Sequence, residues 1–138
     1  MNGKEKEVWD VVLTYTDLIM HGKVDEFIEH FHEDYSGWSN IEPMPADKQS
    51  IILELNKNQT RRKIIEQYDL VPIKIIIHEQ IAIVHYFLRE RFKDQEDLNK
   101  SDIKHYTDIL IHINERWYLI ADHFGTQENK KFENYNQG

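Results

Sequence analysis

Apolar and polar residues alternate through Lys104–Thr126, on both sides of a short Asn114-Glu115-Arg116 break. That pattern predicts two half-buried antiparallel strands joined by a tight hairpin. The β-branched and aromatic residues in both arms fit a pleated surface. Pairing Ile113 with Trp117 across a three-residue loop sets Asp108 opposite Asp122 and Thr107 opposite His123. Two carboxylates so placed mark either a site or a solvated face.

Upstream, Val8, Val11, Val12, Tyr15, Leu18 and Ile19 recur at helical spacing, and Gly22 closes the run as a C-cap. A second, shorter helix carries Val24, Phe27, Ile28 and Phe31 on one face. Tyr35-Ser36-Gly37-Trp38 reads as a brief extended segment, and Ile41 to Pro45, with two prolines, as a loop. Asp47 is the N-cap of a third helix bearing Ile51, Ile52 and Leu55, which fades into Asn56–Thr60. From Ile64 to His78 the chain turns β-rich, with Pro72 signalling an edge or a bulge. Ile81 to Phe92 is a long alternating strand, and Lys93 to Ser101 a charged loop. Helices first and strands after imply an α+β fold, with helices on one face of an antiparallel sheet and a hollow between the layers. Residues 1–126 form a single domain and 127–138 a flexible tail.

Composition narrows the functions. A chain of 138 residues supports one real core. A formal charge of −8 argues against a nucleic-acid partner, and Arg61-Arg62-Lys63 is the lone basic cluster. Without cysteine there is no disulfide, thiolate nucleophile or sulfur-held metal, which suits a cytoplasmic location. Lys4 to Glu7 is too charged for a secretory signal, and no apolar run is long enough to span a membrane.

These elements in this order resemble the nuclear transport factor 2-like superfamily, an α+β cone that includes SnoaL-like cyclases and ketosteroid isomerases. The opening pattern is carried by Tyr15 through His21-Gly22-Lys23, then Asp25-Glu26-Phe27, Phe31 and Asp34. Thr107, Trp117 and His123 are similar to the association domain of calcium/calmodulin-dependent protein kinase II, and Glu79 to Tyr86 resembles the central strand. In ketosteroid isomerases a helix Tyr and a protonated late-strand acid hold an enolate oxygen. The resemblance puts Tyr15 at the first position and Asp108 near the second, while Ser39 stands where the general base is expected. At the positions of the kinase hub's pocket arginines stand Leu88, Asp108 and Phe124.

On that alignment the even-numbered late-strand residues Tyr86, Tyr106, Asp108, Asp122 and Phe124 face the hollow, with Tyr15 above them and Trp38 at the rim. Burial raises a carboxyl pKa, and a second carboxylate raises it further. Asp108, Asp122 and Tyr15 are therefore the candidate catalytic residues, and Trp38, Tyr86, Tyr106 and Phe124 the candidate ligand contacts. The aspartates could act as acid and base, could only orient a ligand, or could serve a structural hydrogen bond. Eight histidines raise the question of a metal. His30-x-His32 with Glu33 and Asp34, and the trio His85, His105 and His123, have the ligand types, but no spacing demands a metal. The expectation is no metal and no cofactor. Ile109, Ile111, Ile113, Trp117 and Leu119 form an apolar outer face suited to a homodimer. The whole predicts a small, largely apolar ligand in the hollow. A cyclase- or isomerase-like enzyme is the alternative, and an oligomerising module without catalysis is a second one.

Overall fold

Asn2 starts the first helix. Its side chain accepts from the Glu5 amide at 2.9 Å and the Glu5 carboxylate accepts from the Asn2 amide at 3.1 Å, a capping box. In this computed structural model, which describes residues 1–57, 64–94 and 96–126, helix α1 spans Gly3–Met20. Its end is a Schellman turn: Lys23 N–H donates to Leu18 O at 2.9 Å and Gly22 N–H to Ile19 O at 3.1 Å. Gly22 has φ 75°, the left-handed conformation that the expected C-terminal glycine supplies. Val8, Val12 and Tyr15 are buried along one face.

Helix α2 is shorter than its apolar spacing implied, Val24–Ile28, and Phe31 opens strand β1 (Phe31–Ser39) instead of extending the helix. The strand buries Phe31, Tyr35, Gly37 and Ser39, the alternation a half-buried strand requires. The two-residue strand β2 (Ala46–Asp47) leads into α3 (Lys48–Lys57), where Asp47 Oδ1 accepts from the Ser50 amide at 2.8 Å, the cap expected of it. Arg61-Arg62-Lys63 and the tail 127–138 lie outside the described residues.

Strands β3 (Ile64–His78), β4 (Ile81–Lys93), β5 (Asn99–Ile113) and β6 (Arg116–Thr126) complete a curved, unclosed sheet in the order β2-β1-β6-β5-β4-β3. The β4–β5 connection is shorter than the charged stretch suggested, because both strands continue into it. Pro72 sits as expected, on an edge strand and beside a register shift. The sheet is not antiparallel throughout: β1 runs parallel to β6.

Two departures at the β5–β6 hairpin cancel. Its loop has two residues, Asn114 and Glu115, both at positive φ (51° and 65°), so His112, not Ile113, faces Trp117. A register shift between Ile109 and Leu110 then moves the pairing by one residue, and Asp108 lies opposite Asp122 after all. Below the shift the faces of β6 are swapped. Trp117 and Leu119, expected outside, are therefore buried inside, at 8% and 2% exposure.

The core lies between α1 and the inner face of the sheet. Val8, Trp9, Val12 and Tyr15 pack on Ala82, Val84, Tyr86, Leu110 and Trp117, and a second cluster joins Phe31, Tyr35 and Leu119.

Candidate functional site

Asp108 sits at the centre of the inner face. It is 1% exposed, placed there by the even-residue face of β5 that also buries Leu110. Tyr15 reaches it from the fourth turn of α1, and Tyr86 from β4. Both hydroxyls donate to the same oxygen, Oδ2, Tyr86 at 2.7 Å. The other oxygen, Oδ1, is buried and has no hydrogen-bond partner. Orphaned buried acceptors are uncommon because the desolvation is uncompensated.

Asp122 faces Asp108 from β6, and its Oδ1 accepts from the Tyr35 hydroxyl at 2.7 Å. That bond crosses Gly37, which pairs with Asp122; a Cβ there would overlap the Tyr35 hydroxyl and the Asp122 carboxylate. A glycine inside a strand often marks such a close approach.

The electrostatics follow from burial. Desolvation, then repulsion from Asp122, raises the Asp108 pKa to about 7, against the opposing pull of the Tyr15 and Tyr86 hydrogen bonds. Burial likewise lifts Asp122 to about 6, with the Tyr35 hydrogen bond opposing it. Burial and the nearby carboxylates push Tyr15, Tyr35, Tyr86 and Tyr106 up, so each phenol stays protonated and able to donate. Both aspartates are thus raised toward neutral pH, Asp108 further than Asp122, with their titrations coupled by repulsion.

These groups line a cavity of about 80 Å³. Tyr15, Tyr86, Tyr106, Asp108 and Asp122 form its polar wall, and Ile19, Met20, Phe27, Leu88 and Leu119 close it with apolar surface. It admits a small group.

Five of the seven expected site residues thus meet at one cavity. Phe124 is on the correct face but stands behind, stacked on Tyr106 at 5.2 Å, which is itself stacked on Tyr86 at 5.1 Å. Trp38 is not at the rim. It points to the opposite face, 46% exposed, and its indole N–H donates to Glu42 O at 2.6 Å. Ser39 is buried with its Oγ unpartnered. Tyr35 is the residue that sequence reasoning missed; its signal was the Tyr-x-Gly spacing on an extended segment.

His85, His105 and His123 stay apart from the cavity, while the His30 ring lies 6.0 Å from that of Tyr15. His85 Nδ1 lies 2.8 Å from Thr107 Oγ1, and the His105 and His123 rings stack at 6.4 Å. Their odd-numbered positions put them on the outer face. Among the described residues no three His, Asp or Glu side chains converge as a metal set. No helix among them is long and apolar enough to cross a membrane.

No family model and no curated protein sequence matches the chain. Solved structures do. A ketosteroid isomerase-like protein from Erwinia carotovora atroseptica SCRI1043 superposes with a TM-score of 0.77 at 8% identity, over 93% of this chain and 99% of that one. The CaMKII hub of S. rosetta gives 0.75 at 14% identity, over 92% and 99%. An NTF2-like protein of unknown function from Pseudomonas putida KT2440 gives 0.70 at 11%, over 94% and 90%. The chain has the nuclear transport factor 2-like fold. At these identities the likeness establishes architecture; activity has to be argued from the site.

Proposed function

We propose that this protein binds a small, largely apolar molecule in the cavity between α1 and the sheet, held at one polar end by Asp108 and Asp122. The observation that carries this reading is the cavity's two-sided lining: the buried carboxyl residues Asp108 and Asp122 with their tyrosines on one wall, and Ile19, Met20, Phe27, Leu88 and Leu119 on the other. The test is a ligand-observed NMR screen of small ring compounds against the wild type and Ile19→Trp, which fills the cavity without touching the carboxylates. Binding is expected to vanish in the variant. Ligands that bind both proteins equally would place the site elsewhere.

A second reading is an enzyme of isomerase or cyclase type. It is favoured by Asp108, whose pKa of about 7 suits proton transfer at neutral pH, and by the Tyr15 hydroxyl bound to it. The ketosteroid isomerase-like neighbour supports it as analogy. Exchange of α-protons of small cyclic ketones in D₂O measures it. Asp108→Asn is expected to abolish exchange, and unchanged exchange in that variant sinks the catalytic assignment.

The apolar outer face of β4 and β5 supports a homodimer, and the hub-like neighbours fit an associating fold.

A further inference from the structure

The cavity has the wrong charge for an anion. Two carboxylates line it, and no Lys, Arg or His among the described residues lines it with them. Elsewhere on the same sheet face a buried acid is compensated: Glu90, 4% exposed, has the Lys104 ammonium 3.3 Å away. Among the described residues, Asp108 and Asp122 have only phenols as side-chain hydrogen-bond donors. Among those residues, the titratable groups facing them across the cavity are tyrosines and the other aspartate: Tyr15 on α1, Tyr35 on β1, Tyr86 on β4 and Tyr106 on β5. His123 acts weakly on Asp122 from the next position in β6, its ring stacked with His105 on the outer face.

Resting on the binding reading above, we infer that the ligand's polar group is a protonated amine. A small ammonium supplies what the cavity lacks. Its positive charge offsets the aspartate pair, its N–H groups donate to carboxylates, which only accept, and the rings of Tyr15, Tyr86, Tyr106 and Phe27 favour a cation at close range. The apolar side, Ile19, Met20, Leu88 and Leu119, takes a short hydrocarbon body. The geometry therefore selects a small alkyl or cycloalkyl amine over a neutral carbonyl compound, and over a carboxylate most of all.

The protein recognises the charge only when the aspartates are ionised. Amine binding thus releases protons held on the aspartates, and affinity rises with pH as both groups titrate.

Three probes of one shape test this: cyclopentylammonium, cyclopentanone and cyclopentanecarboxylate, titrated by calorimetry and by the ring resonances of Tyr15, Tyr86 and Tyr106. At pH 7.5 the ammonium is expected to bind about 10- to 100-fold tighter than the ketone, the scale of a charge-assisted hydrogen bond. The carboxylate should not bind. Asp108→Asn and Asp122→Asn should each lower ammonium affinity about tenfold or more. Because a variant can lose its fold, the wild type carries an independent measure. Ammonium affinity should increase from pH 5 to pH 8, with proton release on binding. Ketone or carboxylate binding as tight as the ammonium overturns the amine assignment and leaves the cavity reading intact. If no probe moves the tyrosine resonances, both fall together.

Discussion

The Tyr35 hydroxyl reaches Asp122 over the one strand position where no side chain stands in the way, Gly37. The backbone of Gly37 is not in the left-handed region, so the glycine is there for space and not for conformation. Gly37→Ala is therefore expected to displace the phenol, break the 2.7 Å hydrogen bond and lower stability by about 1–3 kcal/mol. Combining it with Tyr35→Phe, which removes the overlapping oxygen, should cost less than the sum of the two single changes. Strict additivity in chemical denaturation would show that the two residues do not share this contact.

The aspartates make stability depend on pH with a definite sign. Asp108 titrates at about 7 when folded, against an ordinary value of 3.8, and Asp122 is raised in the same direction. Between those values the unfolded chain has lost the proton and the folded chain keeps it. Stability from these two groups is therefore highest below 3.8 and declines as pH rises toward about 7. Each pKa unit corresponds to about 1.4 kcal/mol. Asn at position 108 keeps an acceptor for Tyr15 and Tyr86 and carries no charge. Asp108→Asn is expected to be at least as stable as the wild type at pH 8 and to flatten the dependence of Tm on pH. A variant less stable at pH 8, with the pH dependence intact, would show that Asp108 titrates in its ordinary range.

Two tryptophans separate the faces of the sheet. Trp117 is 8% exposed in the main core, and Trp38 is 46% exposed with its N–H on Glu42 O. Trp117→Ala should cost about 3–5 kcal/mol, the range for deleting a core aromatic. Trp38→Ala should leave binding at the cavity unchanged and cost about 1 kcal/mol, near that of one hydrogen bond. Thermal melts and the ring-compound screen on both variants decide it. The reverse order would return Trp117 to the outer face.

What the sequence revealed followed periodicity, and what it hid followed irregularity. Alternation located β4, and helical spacing with Gly22 located α1 and its end. The even-residue face of β4 and β5 put Tyr86, Tyr106 and Asp108 together correctly. The pairing of Asp108 with Asp122 was legible only because a loop one residue shorter than expected met a register shift of one residue. Bulges have no strong local signature, so the swapped faces of Trp117 and Leu119 were not readable. The parallel β1–β6 pairing is a long-range choice that no local pattern encodes. It brings Gly37 beside Asp122, and with it the Tyr35 contact. Trp38 was assigned to the rim because aromatic residues suit pockets; the β1 alternation that buries Tyr35 and Gly37 turns it the other way.

The outer face raises the last question. Ile81 pairs with Ile111 and Ile83 with Ile109, giving adjacent β-branched side chains on the face opposite α1. All four are half-buried, and the residues that pack against α1 lie on the other side of the sheet. A second copy of the chain is the simplest cover for such a face, since two-fold pairing makes it self-complementary. Ile111→Glu places a charge at its centre without altering the inner core. In sedimentation equilibrium the wild type is expected to be a dimer and the variant a monomer, with monomer stability within about 0.5 kcal/mol, as for a surface change. The cavity is built within one chain, so binding of the ring probes should persist in the monomeric variant. A variant that remains a dimer would move the interface off this face. A monomer that no longer binds would mean that the partner subunit shapes the cavity.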